Sequence, residues 1–266
     1  MAIQLYYFYA DSHGIDSVGG DIMAVLAPIS DAWLANPVLA QLQFTPPSLV
    51  YSHATQGGQA KYLINPIIHL NGGVRLALPV ASWGSTSNEG HAGLLFSDDD
   101  GRSWSPQAAG MESLVAPQSP DLEPAFAPLA GRGPNASYVA LRVRGGGIYQ
   151  SWSSNSSDWP HATAASLPSA DSKTNVLANA NGTLLLTHNI KDRRHLVVEK
   201  SVDDGRTWVT AVTLADGADG LQRCYPTTVV LPEASEESKT MYAAVYTVYP
   251  MSGARIGIGL TTFTLD

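Results

Sequence analysis

Two arginines separated by one residue, in "LRVRGGG" at 141–147, are the first candidates for chemistry in this chain. On a strand, side chains alternate, so Arg142 and Arg144 would share one face. Two like charges side by side need anions or water between them, and a planar guanidinium grips a carboxylate bidentately. The same pair would equally suit an outer strand that faces solvent or pairs with Asp and Glu. A second pair, Arg193 and Arg194, is adjacent and so points to opposite faces; register with the octapeptide that follows favours Arg194. Tyr225 stands before Pro226 at the start of an apolar run. A phenol with its usual pKa near 10 needs a base before it can act as a nucleophile. Without one, Tyr225 would be a core or rim residue, the common fate of a tyrosine. Asp16, in the glycine-rich "DSVGGD", is a free carboxylate or a turn-former.

Other polar clusters carry less. The seven histidines show no metal-ligand spacing, so no metal site is expected. "DDD" at 98–100 belongs to a turn, and "GGG" at 145–147 follows a strand with no helix after it, which makes a hairpin rather than a phosphate loop. No cofactor is expected. Asn135-Ala-Ser, Asn155-Ser-Ser and Asn181-Gly-Thr match glycosylation acceptors, which matter only in a secreted protein.

The elements that must position these residues announce themselves by repetition. "SDDDGRSW" (97–104) and "SVDDGRTW" (201–208) share the pattern Ser-x-Asp-x-Gly-x-Ser/Thr-Trp. Asp and Ser/Thr side chains bind backbone N–H groups in a turn, Gly supplies a positive φ, and Trp anchors the corner. "SWSSNSSDW", ending at Trp159, is a worn copy without the Gly, and "SDAW", ending at Trp33, a fainter one. Asn-Gly turns open strands in "NGGVRLALPV" and "NGTLLLTHN", a hairpin signal. The unit is several strands and a corner over about fifty residues, the period of a propeller blade. The chain is therefore expected to be all-β, one domain over 1–266, with about five antiparallel blades near 3–45, 47–108, 115–162, 172–214 and 222–266. The first blade is missing a strand, either supplied by the C-terminus or lost with an absent segment. By this register Glu123 falls at the same early position as Tyr225, two blades before it, and early inner-strand positions face the central channel.

Composition agrees. Only 14% of residues are charged, while 24 Gly and 17 Pro suit short strands and many turns. A net charge of −8 argues against nucleic acid or an anionic membrane as partner. One cysteine excludes an internal disulfide framework. No apolar run is long enough for a spanning helix, and "MAIQLYYFYADS" does not read as a signal peptide. Localisation stays open, secretion included if the N-terminus is incomplete.

Corner repeats and blade order together resemble the sialidase-like superfamily of Asp-box (BNR-repeat) β-propellers. "LEPAFAPLAG…YVALRVR" resembles the segment with a catalytic glutamate and, one strand later, a substrate arginine. "DRRHLVVEKSVDDGRTW" is similar to the one placing another arginine before an Asp box, "CYPTTVVL" to the strand with a nucleophilic tyrosine, and "DSVGGDIMAVL" to the first-blade loop with an acid/base aspartate. The resemblance implies a retaining exo-α-sialidase type of glycoside hydrolase. Tyr225 would be the nucleophile, Glu123 its base and Asp16 the acid/base. Arg142 or Arg144, with Arg193 or Arg194, would bind the carboxylate of an acidic sugar. Tyrosine in place of a carboxylate avoids repulsion with such a sugar. The family's opening-strand arginine has no counterpart, and the spacing from Asp16 to Glu123 is about a blade short. Those departures leave two alternatives: a non-catalytic or truncated glycan-binding propeller, or one acting on rhamnose- or uronate-containing glycans.

Overall fold

A computed structural model describes residues 2–10, 20–30, 33, 42–52, 61–83, 90–106, 114–115, 122–143, 145–231, 239–250 and 257–265. Its elements are β-strands, joined at one point by a 3-10 turn at Asn71–Gly73. The all-β expectation holds, and the strands form five antiparallel sheets. The chain divides into two compact units, Met1–Leu63 and Ile64–Asp266.

In the first unit, β1 (Ala2–Ala10), β2 (Gly20–Pro28) and β3 (Ser48–Tyr51) form a three-stranded sheet in that order. Ile22 and Ala24 of β2 are buried, as one face of a period-two strand should be. A short β4 (Lys61–Leu63) ends the unit. The sequence assigned 48–51 to the next repeat; instead β3 pairs Ser48 with Ala24 and Tyr51 with Ile22.

The second unit carries four sheets. β5 (Ile68–Leu70), β6 (Arg75–Trp83), β7 (Gly90–Ser97), β8 (Ser105–Pro106) and β9 (Leu114–Val115) make the first of them. β10 (Leu122–Pro128), β11 (Ser137–Val143), β12 (Ile148–Ser153) and β13 (Thr163–Ala164) make the next. β14 (Asn175–Ala178), β15 (Leu184–Asn189), β16 (His195–Ser201) and β17 (Val209–Asp216) follow, then β18 (Gln222–Val230), β19 (Met241–Tyr249) and β20 (Gly257–Thr264). β9 departs from its expected repeat: it pairs with His91 and Ala92 of β7, while β8 pairs with Leu95 and Phe96. Two short pieces thus replace one outer strand.

The strands β11 and β15 are buried along their whole length, because their apolar runs meet other residues on both faces. Phe126, Val139, Leu141 and Trp159 pack with Leu94 and Phe96 of the preceding sheet. On the opposite face Ala125, Tyr138 and Ile148 pack with Val176, Leu184 and Leu186 of the following one. The first strands β10, β14 and β18 therefore lie side by side, β10 against β14 and β14 against β18.

The repeated corners have one chemistry. Asp99 accepts from the Ser97 hydroxyl (2.8 Å), the Ser103 N–H (2.9 Å) and the Ser103 hydroxyl (2.6 Å), and Asp203 accepts the matching three from Ser201 and Thr207. These bonds stabilise the ionised form and hold both carboxyls down to about 2. In the worn copy the span from the corner serine to the tryptophan, Ser153 to Trp159, is one residue shorter. Asn155 takes the place of the aspartate, and Ser156, at φ 59°, adopts the left-handed conformation of Asp100 and Asp204. In all three corners the indole N–H donates to the carbonyl three residues earlier: Trp104 to Gly101, Trp159 to Ser156, Trp208 to Gly205. Trp104 and Trp159 are buried, whereas Trp208 is half-buried against Tyr138. The faint copy before Trp33 lies largely outside the described residues.

Candidate active site

Because β10, β14 and β18 run side by side, residues at their early positions converge. Glu123, second on β10, stands directly across from Arg142 on β11. Arg142 is 8% exposed, so it does not face solvent. Its Nη1 lies 3.4 Å from Glu123 Oε2, and its Nη2 donates to a carboxylate oxygen of Asp171. Its Nε is buried and has no partner among the described residues.

Tyr225 lies on β18 at a bulge. Cys224 pairs with Thr247 and Thr227 with Val245, so Tyr225 and Pro226 together oppose Tyr246 alone. The extra residue turns Tyr225 to φ 56°, a region that costs a non-glycine residue about 1–2 kcal/mol. The bulge re-aims the ring, which stays 38% exposed beneath the Arg193 guanidinium, 5.7 Å from its centroid. Burial pushes the phenol above its ordinary value, and the Glu123 charge pushes it further; Arg193 and Arg142 pull the other way. A carboxylate close enough to do this opposes loss of the phenol proton to solvent, yet it is the kind of group that can accept that proton.

Asp171 and Lys173, from the loop between β13 and β14, tie these strands together. The Asp171 carbonyl accepts from Nε (3.0 Å) and Nη2 (2.6 Å) of Arg193. Lys173 is buried, and its ammonium donates to the Pro226 carbonyl (2.6 Å) and the Thr227 hydroxyl (3.0 Å), pinning the bulge from below. Burial brings its pKa down to about 8, with the nearby Glu123 charge opposing the fall. Beneath the site, Asn175 donates to Asn65 (3.1 Å), which donates to the Pro124 carbonyl (2.7 Å). Asn175 also accepts from the Thr228 N–H (2.8 Å), so one amide chain fixes β10, β14 and β18 in mutual register.

Of the residues singled out by sequence, Glu123, Arg142 and Tyr225 come together. Arg194 does not join them: its Nε (2.9 Å) and Nη2 (2.6 Å) are held by the Asp192 carboxylate, and Arg193 is the one against Tyr225. Both arginines precede β16, in a loop where strand alternation does not apply. Asp16 and Arg144 lie outside the described residues. Asp171, Lys173 and the Asn65–Asn175 pair went unnoticed in the sequence. The one signal was a run of polar residues, "SADSKTN", leading straight into an apolar strand. No group of His, Cys, Asp and Glu among the described residues could hold a metal ion, and no helix there is long and apolar enough to cross a membrane.

No curated protein matches the chain by sequence. Among solved structures, the intramolecular trans-sialidase from Ruminococcus gnavus in complex with oseltamivir carboxylate aligns with a TM-score of 0.66 at 14% identity, over 100% of this chain and 59% of that one. Trypanosoma rangeli sialidase aligns at 0.65 and 13% identity, over 96% of this chain and 42% of that one. A mutant of the NanB sialidase from Streptococcus pneumoniae aligns at 0.61 and 16% identity, over 100% and 42%. At such identities the likeness is one of fold, and the chain spans about half the length of these structures. The BNR repeat-like domain model matches residues 65–236, well over half of the sequence. The chain belongs to the BNR repeat-like family, with the sialidase-like fold.

Proposed function

We propose that the five sheets are blades of one sialidase-type propeller and that the chain is a retaining exo-glycosidase acting on acidic sugars. Tyr225 is the nucleophile. Its proton passes to the Glu123 carboxylate as the phenolic oxygen attacks the anomeric carbon, and the leaving oxygen takes a proton from Asp16. Water then displaces the tyrosine from the glycosyl intermediate, giving its proton to Asp16 as base, while Glu123 returns its proton to the departing phenolic oxygen. Arg142 and Arg144, with Arg193 rather than Arg194, bind the sugar carboxylate.

The observation that carries this reading is the environment of Tyr225. A half-exposed phenol sits on a strained bulge, electrostatically coupled to one carboxylate and two guanidinium groups. A rim tyrosine would need none of these. Positive charge around the ring stabilises a phenolate as it forms, and the neutral nucleophile does not repel an anionic sugar. Support also comes from the sialidase fold of the structural relatives. Turnover of a fluorogenic sialoside tests it: the wild-type chain should release fluorophore, and Tyr225→Phe should lose at least about a hundredfold in kcat. Equal rates in the two proteins would remove Tyr225 as nucleophile.

A further inference from the structure

Asp171 engages two of the guanidinium groups that the proposed site offers to an anion, those of Arg142 and Arg193. A guanidinium has two bidentate edges, Nε with Nη2 and Nη1 with Nη2, and Nη2 belongs to both. In Arg142 that shared nitrogen donates to the Asp171 carboxylate, while Nη1 faces Glu123 and Nε is left buried without a partner among the described residues. In Arg193 the Nε–Nη2 edge is closed by the Asp171 backbone carbonyl. Arg193 keeps its Nη1–Nη2 edge, because each Nη carries two hydrogens. On Arg142, Glu123 stands at one edge and Asp171 at the nitrogen the other edge needs, so a ligand carboxylate gains a bidentate edge there only when Asp171 gives way. On Arg142 the obstacle is a charged side chain, 43% exposed and free to swing towards solvent.

We propose that Asp171 is a specificity-determining residue, an internal carboxylate that occupies the place of a ligand's and must be displaced before an acidic sugar can bind. The inference rests on the glycosidase reading above, since it takes Arg142 as part of the sugar site. It explains the orphaned Nε: displacing Asp171 lets the incoming carboxylate take Nη2 and Nε together. It also assigns a cost. Anionic ligands lose the free energy of one partly screened, charge-assisted hydrogen bond, and neutral sugars, which need not open that pair, lose nothing.

The experiment is binding of free N-acetylneuraminic acid, followed by calorimetry, to the wild-type chain and to Asp171→Asn. N-acetylmannosamine serves as the neutral control. Asparagine keeps the shape and the backbone carbonyl and removes the charge. The expected result is an affinity for the acid about tenfold higher in the variant, the scale of one screened charge-assisted bond, with the control unchanged. If the wild type binds the acid and the variant binds it equally or more weakly, Asp171 is not a competitor and the inference falls, while the glycosidase reading stands. If neither protein binds the acid, although both melt at the same temperature, the arginines are no carboxylate site and both readings fall. Should Asp171→Asn fold poorly, Asp171→Ser removes the same charge and is held to the same outcomes.

Discussion

Lys173→Met tests the energetics beneath the site. The wild-type ammonium is buried, and its pKa falls from 10.5 to about 8. At about 1.4 kcal/mol per pH unit this difference is worth about 3 kcal/mol. The sign follows from proton counting. Between pH 8 and 10.5 the unfolded chain holds a proton on Lys173 that the folded chain has released, so folding becomes more favourable as pH rises through that window. The contribution is complete above 10.5 and absent below about 8, where both states are protonated. Other groups work against it at the alkaline end. Burial raises Cys224, Tyr225 and Tyr138, so each costs stability once its unfolded counterpart ionises. Those groups remain in the variant, and the difference between the two proteins removes them. Urea melts at pH 7.5, 8.5, 9.5 and 10.5 provide the assay. The stability of wild type relative to Lys173→Met should climb by about 3 kcal/mol across the series. Methionine also leaves the Pro226 carbonyl without its donor, but this adds an offset that does not vary with pH. A difference flat to within about 0.5 kcal/mol would show that Lys173 is not desolvated in the fold, and the account of the pinned bulge would fail.

Two further substitutions probe the corners. Gly205→Ala should cost about 3 kcal/mol in a urea melt, because φ is +84° and the new methyl would lie 2.6 Å from the Tyr138 ring. A loss under about 0.5 kcal/mol would mean that the ring yields freely. Trp159→Ala should cost about 3–5 kcal/mol, and Trp208→Ala clearly less, since its indole is only half-buried; the reverse order in the same melts would contradict the packing described here.

The corners were the most legible part of the sequence, because a turn bonded within eight residues needs no distant partner. Even the worn copy ending at Trp159 keeps its indole bond, with Asn155 in place of the aspartate. Glu123, Arg142 and Tyr225 could be brought together on paper because they sit on strands whose register follows from the repeat. Register pointed to Arg194, but a loop has no alternation, and Asp192 holds that arginine while Arg193 lies against Tyr225. The assignments of 48–51, and of Val115 at the start of the next repeat, failed for a related reason: a strand of two to four residues carries too few side chains to show which neighbour it will pair with. Asp171 and Lys173 were hidden because their roles depend on contacts 22 to 54 residues away, and loop composition says nothing of such partners.

The corner at Asp204–Gly205 reaches beyond its own sheet. The Asp204 carbonyl accepts the Trp152 indole N–H (2.6 Å), its carboxylate takes Arg132 (2.7 Å), and Arg206 lies over the Trp152 ring. Gly205 meanwhile abuts Tyr138. The turn that closes β16 thus works as a key inserted into β11 and β12, which makes the two sheets one foldon instead of two. In a linear array of repeats, stability is the sum of each unit and its interface with the next. Here the interface term combines the apolar packing between the sheets with the part-buried indole bond and the exposed ion pair of this corner. Amides in β11, β12 and β16 should therefore exchange with solvent through one shared opening, and a protease that nicks the corner would loosen the sheet before it as well as its own.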